Sequence, residues 1–212
     1  MGRDEWFRRK TWTEQDRVDF FNHLKKARRT SSRAQYLRIQ AHHLQEADKP
    51  SVALELLDYL FKEFPERAEL AIAYLQKAQC LEVMGRVDEV IQAFQDSLKA
   101  ERNYKNVRTD APLDFGMFVI RHQRTELYGE AARALEEFPD LVTFPYQAYQ
   151  YHAIQAVIAQ ARGDISEARE HAKQAILAST KDHSGFRYHA KVGLVKAVEP
   201  KIERMLKRIS AA

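Results

Sequence analysis

Residues 149–178 read YQYHAIQAVIAQARGDISEAREHAKQAILA, and the fold follows from how this stretch is parsed. In its first half Ala153, Ala156, Val157 and Ala159, with Ile154 and Ile158 beside them, recur at the spacing of a helix face. Gly163-Asp164 then breaks the run, because glycine takes the left-handed capping conformation cheaply and aspartate can open the next helix. The period resumes with Ala168, Ala172, Ala175 and Ile176. Alanines at the contact positions of both halves let two helix axes come close together. The stretch therefore predicts a tight antiparallel helical hairpin of about 34 residues, which needs copies of itself to bury its apolar face.

Copies are present. Residues 71–98 carry Ala78, a break at Gly85, then Val90, Phe94 and Ser97. Residues 34–65 carry Ala41 and Leu44, a break at Asp48-Lys49-Pro50, then Ala53, Leu57 and Leu60. A further copy over 112–139 has Phe115, Val119 and His122, then Gly129, Ala131, Leu135 and Phe138. Aligned on Ala53, Val90, Ala131 and Ala168, the copies are 37, 41 and 37 residues apart. A small residue in the first helix, a glycine break, and a small residue followed four positions later by an aromatic or leucine form a pattern that resembles the tetratricopeptide repeat family over roughly residues 34–178. The resemblance implies an all-α, right-handed α-solenoid of about four antiparallel hairpins with helical caps at both ends. It divides the chain into a capping arm and helix at 1–30, a repeat array at 31–182 and C-terminal capping helices at 183–212. It implies little about function, since the matched residues are packing residues.

Composition agrees with an all-helical reading. Seven Gly and six Pro in 212 residues are few, and no window alternates with the period of a strand. A single cysteine, Cys80, excludes an internal disulfide and a cysteine-rich zinc site, and its apolar neighbours predict a buried, inert thiol. The N-terminal residues show no apolar core of signal-peptide length, and Trp6 stands where a myristoylation pattern wants Ser or Thr. No apolar run approaches membrane-spanning length. The expected setting is cytoplasmic, with no membrane association. Net charge is +6 over residues 1–40, −7 over 41–180 and +5 over 181–212, so an acidic middle lies between two basic ends.

At the N-terminus, residues 4–10 read as a short helix or arm bearing Trp6 and Phe7. Thr13 and Asp16 predict a capped helix from about 14 to 27. Trp6, Trp12, Phe20 and Phe21 are expected to cover the open end of the array, as a solenoid requires, with an aromatic ligand platform as the alternative. Lys25, Lys26, Arg28, Arg29 and Arg33 form a candidate basic patch: a cationic helix end suits the macrodipole, but five charges in nine residues exceed what capping needs. Tyr104, Lys105 and Arg108 lie in the longest irregular stretch, 101–112, and residues 137–146 make a second turn. Residues 183–198 read as another first helix starting near Ser184. The tail 201–209 places Ile202, Met205, Leu206 and Ile209 on one face, either capping the array or lying in its groove.

No catalytic constellation stands out. His42 and His43 are adjacent, so on a helix they point about 100° apart and cannot clasp one metal. His42 and Glu46 share a face, and His183 and His189 lack a third ligand nearby. There is no glycine-rich phosphate loop, metalloprotease motif or nucleophile elbow. The reading is not an enzyme, with no cofactor, metal or catalytic residue assigned.

In a solenoid the first helix of each hairpin lines the concave side. That turns Gln35, Arg38, His42 and Gln45 inward from the first copy, and Ile72, Leu75, Gln79, Glu82 and Val83 from the second. Ile120 and Gln123 follow from the third, and Gln150, Val157 and Gln160 from the fourth. Amides can pair with a peptide backbone and aliphatics can fill pockets, so the expected function is a non-enzymatic adaptor or scaffold holding a peptide or helix of a protein partner. Binding of nucleic acid or another acidic polymer through the basic ends is the alternative. Self-association into a homodimer is a third possibility.

Overall fold

Thr13 opens the first helix of the computed structural model, which describes residues 6–138 and 141–212. The outermost arm residues 1–5 and the turn residues 139–140 lie outside the described residues. Two compact units divide at Thr109 and Asp110, within the stretch read as one repeat array. Among the described residues all regular structure is helical: ten α-helices and one turn of 3-10 helix, with no strand.

The first unit begins with α1 (Glu14–Lys26). Its capping box is complete: the Asp16 N–H donates to Thr13 Oγ1 at 3.1 Å, and the Thr13 N–H returns a bond to Asp16 Oδ2 at 2.9 Å. Bonds to the Asp16 carboxylate, that of the Thr13 N–H first and then those of the Thr13 hydroxyl and the Arg9 guanidinium, lower its pKa to about 2. Ahead of α1 the arm folds its aromatics together. The Trp6 ring lies 5.2 Å from Phe7, 5.5 Å from Phe20 and 4.9 Å from Tyr36, and Phe7 and Phe20 are buried. The partner under this cluster is α2 (Thr30–Glu46), which carries Tyr36.

The helices α3 (Pro50–Glu63), α4 (Arg67–Val83) and α5 (Val87–Asn103) complete the unit. Helix α2 packs on α3, α4 on α5, and each pair meets the next through α3–α4 and α2–α4 contacts. The small residues that marked the repeats sit at these contacts: Ala41, Ala53, Ala78 and Val90 are buried. Ser97 keeps the α4–α5 spacing close by donating from Oγ to the Ala71 carbonyl at 2.7 Å. Cys80 is buried as expected, and burial pushes its thiol pKa up to about 12. After α5 the chain folds back on Glu101, which is fully buried and accepts from the Thr109 N–H at 3.2 Å and Thr109 Oγ1 at 2.8 Å.

The second unit comprises α6 (Ala111–Arg121), a 3-10 turn at Thr125–Leu127, α7 (Tyr128–Glu137), α8 (Pro145–Arg162), α9 (Ile165–Ser179) and α10 (Pro200–Ala211). The hairpin read from residues 149–178 is α8–α9. Gly163 ends α8 at φ 84°, and Asp164 accepts the Glu167 N–H at 3.0 Å to start α9. Its alanines at 153, 156, 159, 168, 172 and 175 are all buried. Helix α6 packs on α7 and α8, and Gly116 makes the second contact possible: a Cβ there would lie 2.5 Å from Ile154 Cδ1.

Residues 183–198 do not form the further first helix expected from near Ser184. They lie in an irregular segment between α9 and α10. Ser184 offers the backbone a competing set of bonds: its N–H donates to the Ala190 carbonyl at 2.8 Å, its Oγ donates to the His189 carbonyl at 2.7 Å, and the Phe186 N–H donates to its Oγ at 3.1 Å. Gly193 adopts φ 66° and passes so near α8 that a Cβ would sit 2.4 Å from Phe144 Cβ, while its carbonyl accepts the Tyr146 N–H at 2.8 Å. Beyond this strap, α10 buries Ile202, Leu206 and Ile209 and packs against α9 and α8. Its start is tied to the end of α6, where Glu199 pairs with Arg121 at 2.6 Å and Lys201 Nζ donates to the Arg121 carbonyl at 2.6 Å.

Candidate binding surface

Helices α2 and α4 of the first unit lie beside each other, which brings two separately read stripes together. Gln35, Arg38, His42 and Gln45 follow one another on α2 at the spacing of a single face. Gln35 and His42 are exposed, whereas Arg38 and Gln45 are half-buried. Arg38 Nε pairs with Glu69 at the start of α4, so the positive charge on this face is matched by a carboxylate. Further along, Gln45 Nε2 donates to Gln79 Oε1 at 3.2 Å. His42 Nε2 lies 3.6 Å from Glu46. From α4, Ile72, Gln79 and Glu82 are half-buried and Val83, at 68% exposed, projects into solvent at the helix end. Leu75 faces the core at 8%. Gln45 Oε1 is buried without a hydrogen-bond partner.

The second unit treats its assigned residues differently. Ile120 is fully buried, Val157 is buried at 5%, and Gln150 is buried with Nε2 donating to Asp114 Oδ1 at 3.0 Å. These are interior positions rather than the lining of an open groove. The cause lies in α6, nine of whose eleven residues are buried, so that the helices packed on it are covered as well. Gln123 falls past the end of α6 in a left-handed turn at φ 55°, and Gln160 is half-buried near the end of α8.

The basic patch is also reduced. Lys25, Lys26, Arg28 and Arg29 are exposed at and beyond the end of α1. Arg33 is committed to structure instead. Its Nε donates to the Ala27 carbonyl at 2.9 Å, a second nitrogen donates to the Lys25 carbonyl at 3.2 Å, and its guanidinium lies 5.6 Å from the Phe64 ring centre. It caps the carbonyl end of α1, where the helix dipole favours a cation.

One contact in the second unit was not read from the sequence. His152 of α8 and His171 of α9 approach Nδ1 to Nδ1 at 2.8 Å, with ring centres 5.1 Å apart. One ring must donate and the other accept, so the pair shares a proton between two lone pairs aimed at each other. Burial, and then the neighbouring His171, lower the pKa of His152. The sequence carries no clear signal for this contact: His152 lies 11 residues before Gly163 and His171 lies 7 after Asp164. Among the described residues no group of three His, Cys, Asp or Glu side chains could hold a metal ion, and no helix is long and apolar enough to cross a membrane.

No protein-family model and no curated protein matches this sequence.

Proposed function

We propose that the chain is a tetratricopeptide-like α-solenoid acting as a non-enzymatic adaptor, with the α2–α4 face holding an extended peptide or amphipathic helix of a protein partner. The packed pairs α2/α3, α4/α5, α6/α7 and α8/α9 support the repeat reading. The observation that carries the functional reading is the Gln45–Gln79 amide pair, set between exposed Gln35 and His42 on one side and exposed Val83 on the other. Amides supply both donors and acceptors, so a peptide backbone can exchange with the side chain–side chain bond and recover what it displaces. Arg38 is held by Glu69, which disfavours a ligand defined by a terminal carboxylate. A cytoplasmic setting accompanies this reading.

Site-specific photo-crosslinkers at Gln35 and His42, compared with one at exposed Glu55 of α3, test it in the native cell. Crosslinks to a common protein from the first two positions, absent from the third and weakened by Gln79→Ala, support the adaptor. Equal labelling from all three positions overturns the assignment of the face. Crosslinks only to a second copy of the chain replace the adaptor with self-association.

A further inference from the structure

The segment between α9 and α10 is irregular but tightly built, and it carries an unusual surface. Besides the Ser184 bonds, the His189 N–H donates to the Phe186 carbonyl at 3.1 Å and Lys191 Nζ donates to the Asp182 carbonyl at 3.1 Å. This framework holds Tyr188 81% exposed and Phe186 44% exposed. Aromatic rings of that size normally contribute to a core, so presenting two of them on a braced loop calls for a partner. The Arg187 guanidinium lies 5.4 Å from the Tyr188 ring centre, leaving the other face of the ring open. Lys181, Arg187, Lys191 and Lys196 set four cations in this segment against the carboxylates of Asp182 and Glu199, and the latter is already paired with Arg121. Beside it opens a cleft of about 300 Å³, bounded by Phe144, Pro145 and Ala148 on one side and by Lys181, His183 and Ser184 on the other. The Phe144 and Phe186 rings are 5.3 Å apart, so the cleft and the exposed aromatics are continuous.

We propose that this segment binds single-stranded nucleic acid, with bases stacking on Tyr188 and Phe186 and phosphates meeting Lys181, Arg187 and Lys191. The combination of flat, open rings and interleaved cations matches the two requirements of such a strand: every base has a face to stack, and every link carries a negative charge. A duplex is disfavoured because its base faces are already stacked on one another. A lipid surface is disfavoured because Tyr188 is flanked by Arg187 and His189 rather than by a continuous apolar patch. The surface lies wholly in the second unit and is independent of the α2–α4 face.

Fluorescence anisotropy of a fluorescein-labelled oligouridylate, titrated with the full chain across a salt series, tests the proposal. Saturable binding is expected, weakened about tenfold by Tyr188→Ala, the loss of one stacked base. The double variant K181Q/R187Q should flatten the slope of log affinity against log salt by about 1.4, two phosphate contacts at the single-strand value. Both sites are exposed, and unchanged far-UV circular dichroism verifies that the variants fold. Absence of saturable binding at low salt overturns the proposal, as does binding that Tyr188→Ala leaves intact. Competition by duplex DNA as effective as by the single strand also overturns it. So does preferential uptake onto phosphatidylserine vesicles that Tyr188→Ala abolishes, which would make a membrane the partner.

Discussion

Gln40 and Arg9 bond to each other twice: the Arg9 N–H donates to Gln40 Oε1 at 3.0 Å, and Gln40 Nε2 donates to the Arg9 carbonyl at 2.7 Å. Gln40 is fully buried in α2, so one side-chain amide satisfies both backbone groups of an arm residue with no strand beside it. The Arg9 guanidinium continues the link to Asp16 of the α1 capping box. The arm is thereby held on α2 by polar bonds as well as by its aromatic rings.

Gln40→Ala should cost about 2 kcal/mol, because it leaves a backbone donor and acceptor without partners. Both tryptophans of the chain, Trp6 and Trp12, lie in the arm, so their emission reports its release. A lower denaturation midpoint with red-shifted fluorescence is expected. Unchanged emission would show that the aromatic cluster holds the arm alone.

Gly116→Ala should destabilise by about 1–3 kcal/mol, since its Cβ would meet Ile154 Cδ1 at 2.5 Å in a packed contact. Adding Ile154→Val removes that terminal carbon and should restore part of the loss. Chemical denaturation of the single and double variants measures the coupling. Additive costs would mean that α6 and α8 do not meet at these two residues.

The His152–His171 pair predicts a pH dependence with a definite sign. In the folded chain the pKa of His152 is lowered, chiefly by burial, from an ordinary value of 6.5. The unfolded chain therefore takes up the proton first as pH falls. The stabilisation is fully present above the ordinary histidine range and is lost as pH drops through the folded value. Melting temperature should rise from about pH 5 to about pH 7.5, and His152→Gln should reduce that rise. Equal pH profiles for the two proteins would exclude His152 as its source.

Leu206→Ala should cost about 3 kcal/mol, the usual loss at a fully buried leucine, whereas Met205→Ala on half-buried ground should cost less than about 1 kcal/mol. Thermal melts of the two variants provide the comparison. Equal, negligible effects would mean that α10 does not rest on α8 and α9 in solution.

The all-helical class, the α8–α9 hairpin and the α1 cap were legible because each rests on local chemistry. The alanine periodicity, the left-handed glycine at 163 and the Thr13–Asp16 box act within a few residues of themselves. The α2 residues Gln35, Arg38, His42 and Gln45 share one face for the same reason, since a helical period names a face before its neighbour is known, whereas Leu75 of α4 turns to the core. Which faces stay open was not legible. Ile120, Gln150 and Val157 carry the same period as the residues on α2, but the largely buried α6 and its partners enclose them. Arg33 reads as one more surface cation until the fold brings the Ala27 and Lys25 carbonyls within its reach. The segment 183–198 reads as a helix along the chain, yet its shape follows from Ser184 bonding and from Gly193 pressing against Phe144, a residue 49 positions away. Gln40 with Arg9 and His152 with His171 likewise exist only once distant residues are packed side by side. Sequence alone determined the helical class and the helices other than the one expected at 183–198, because backbone conformation and amphipathic period are short-range properties. Tertiary structure alone decided burial, pairing and exposed rings, because desolvation and hydrogen bonding depend on what the rest of the chain brings into contact.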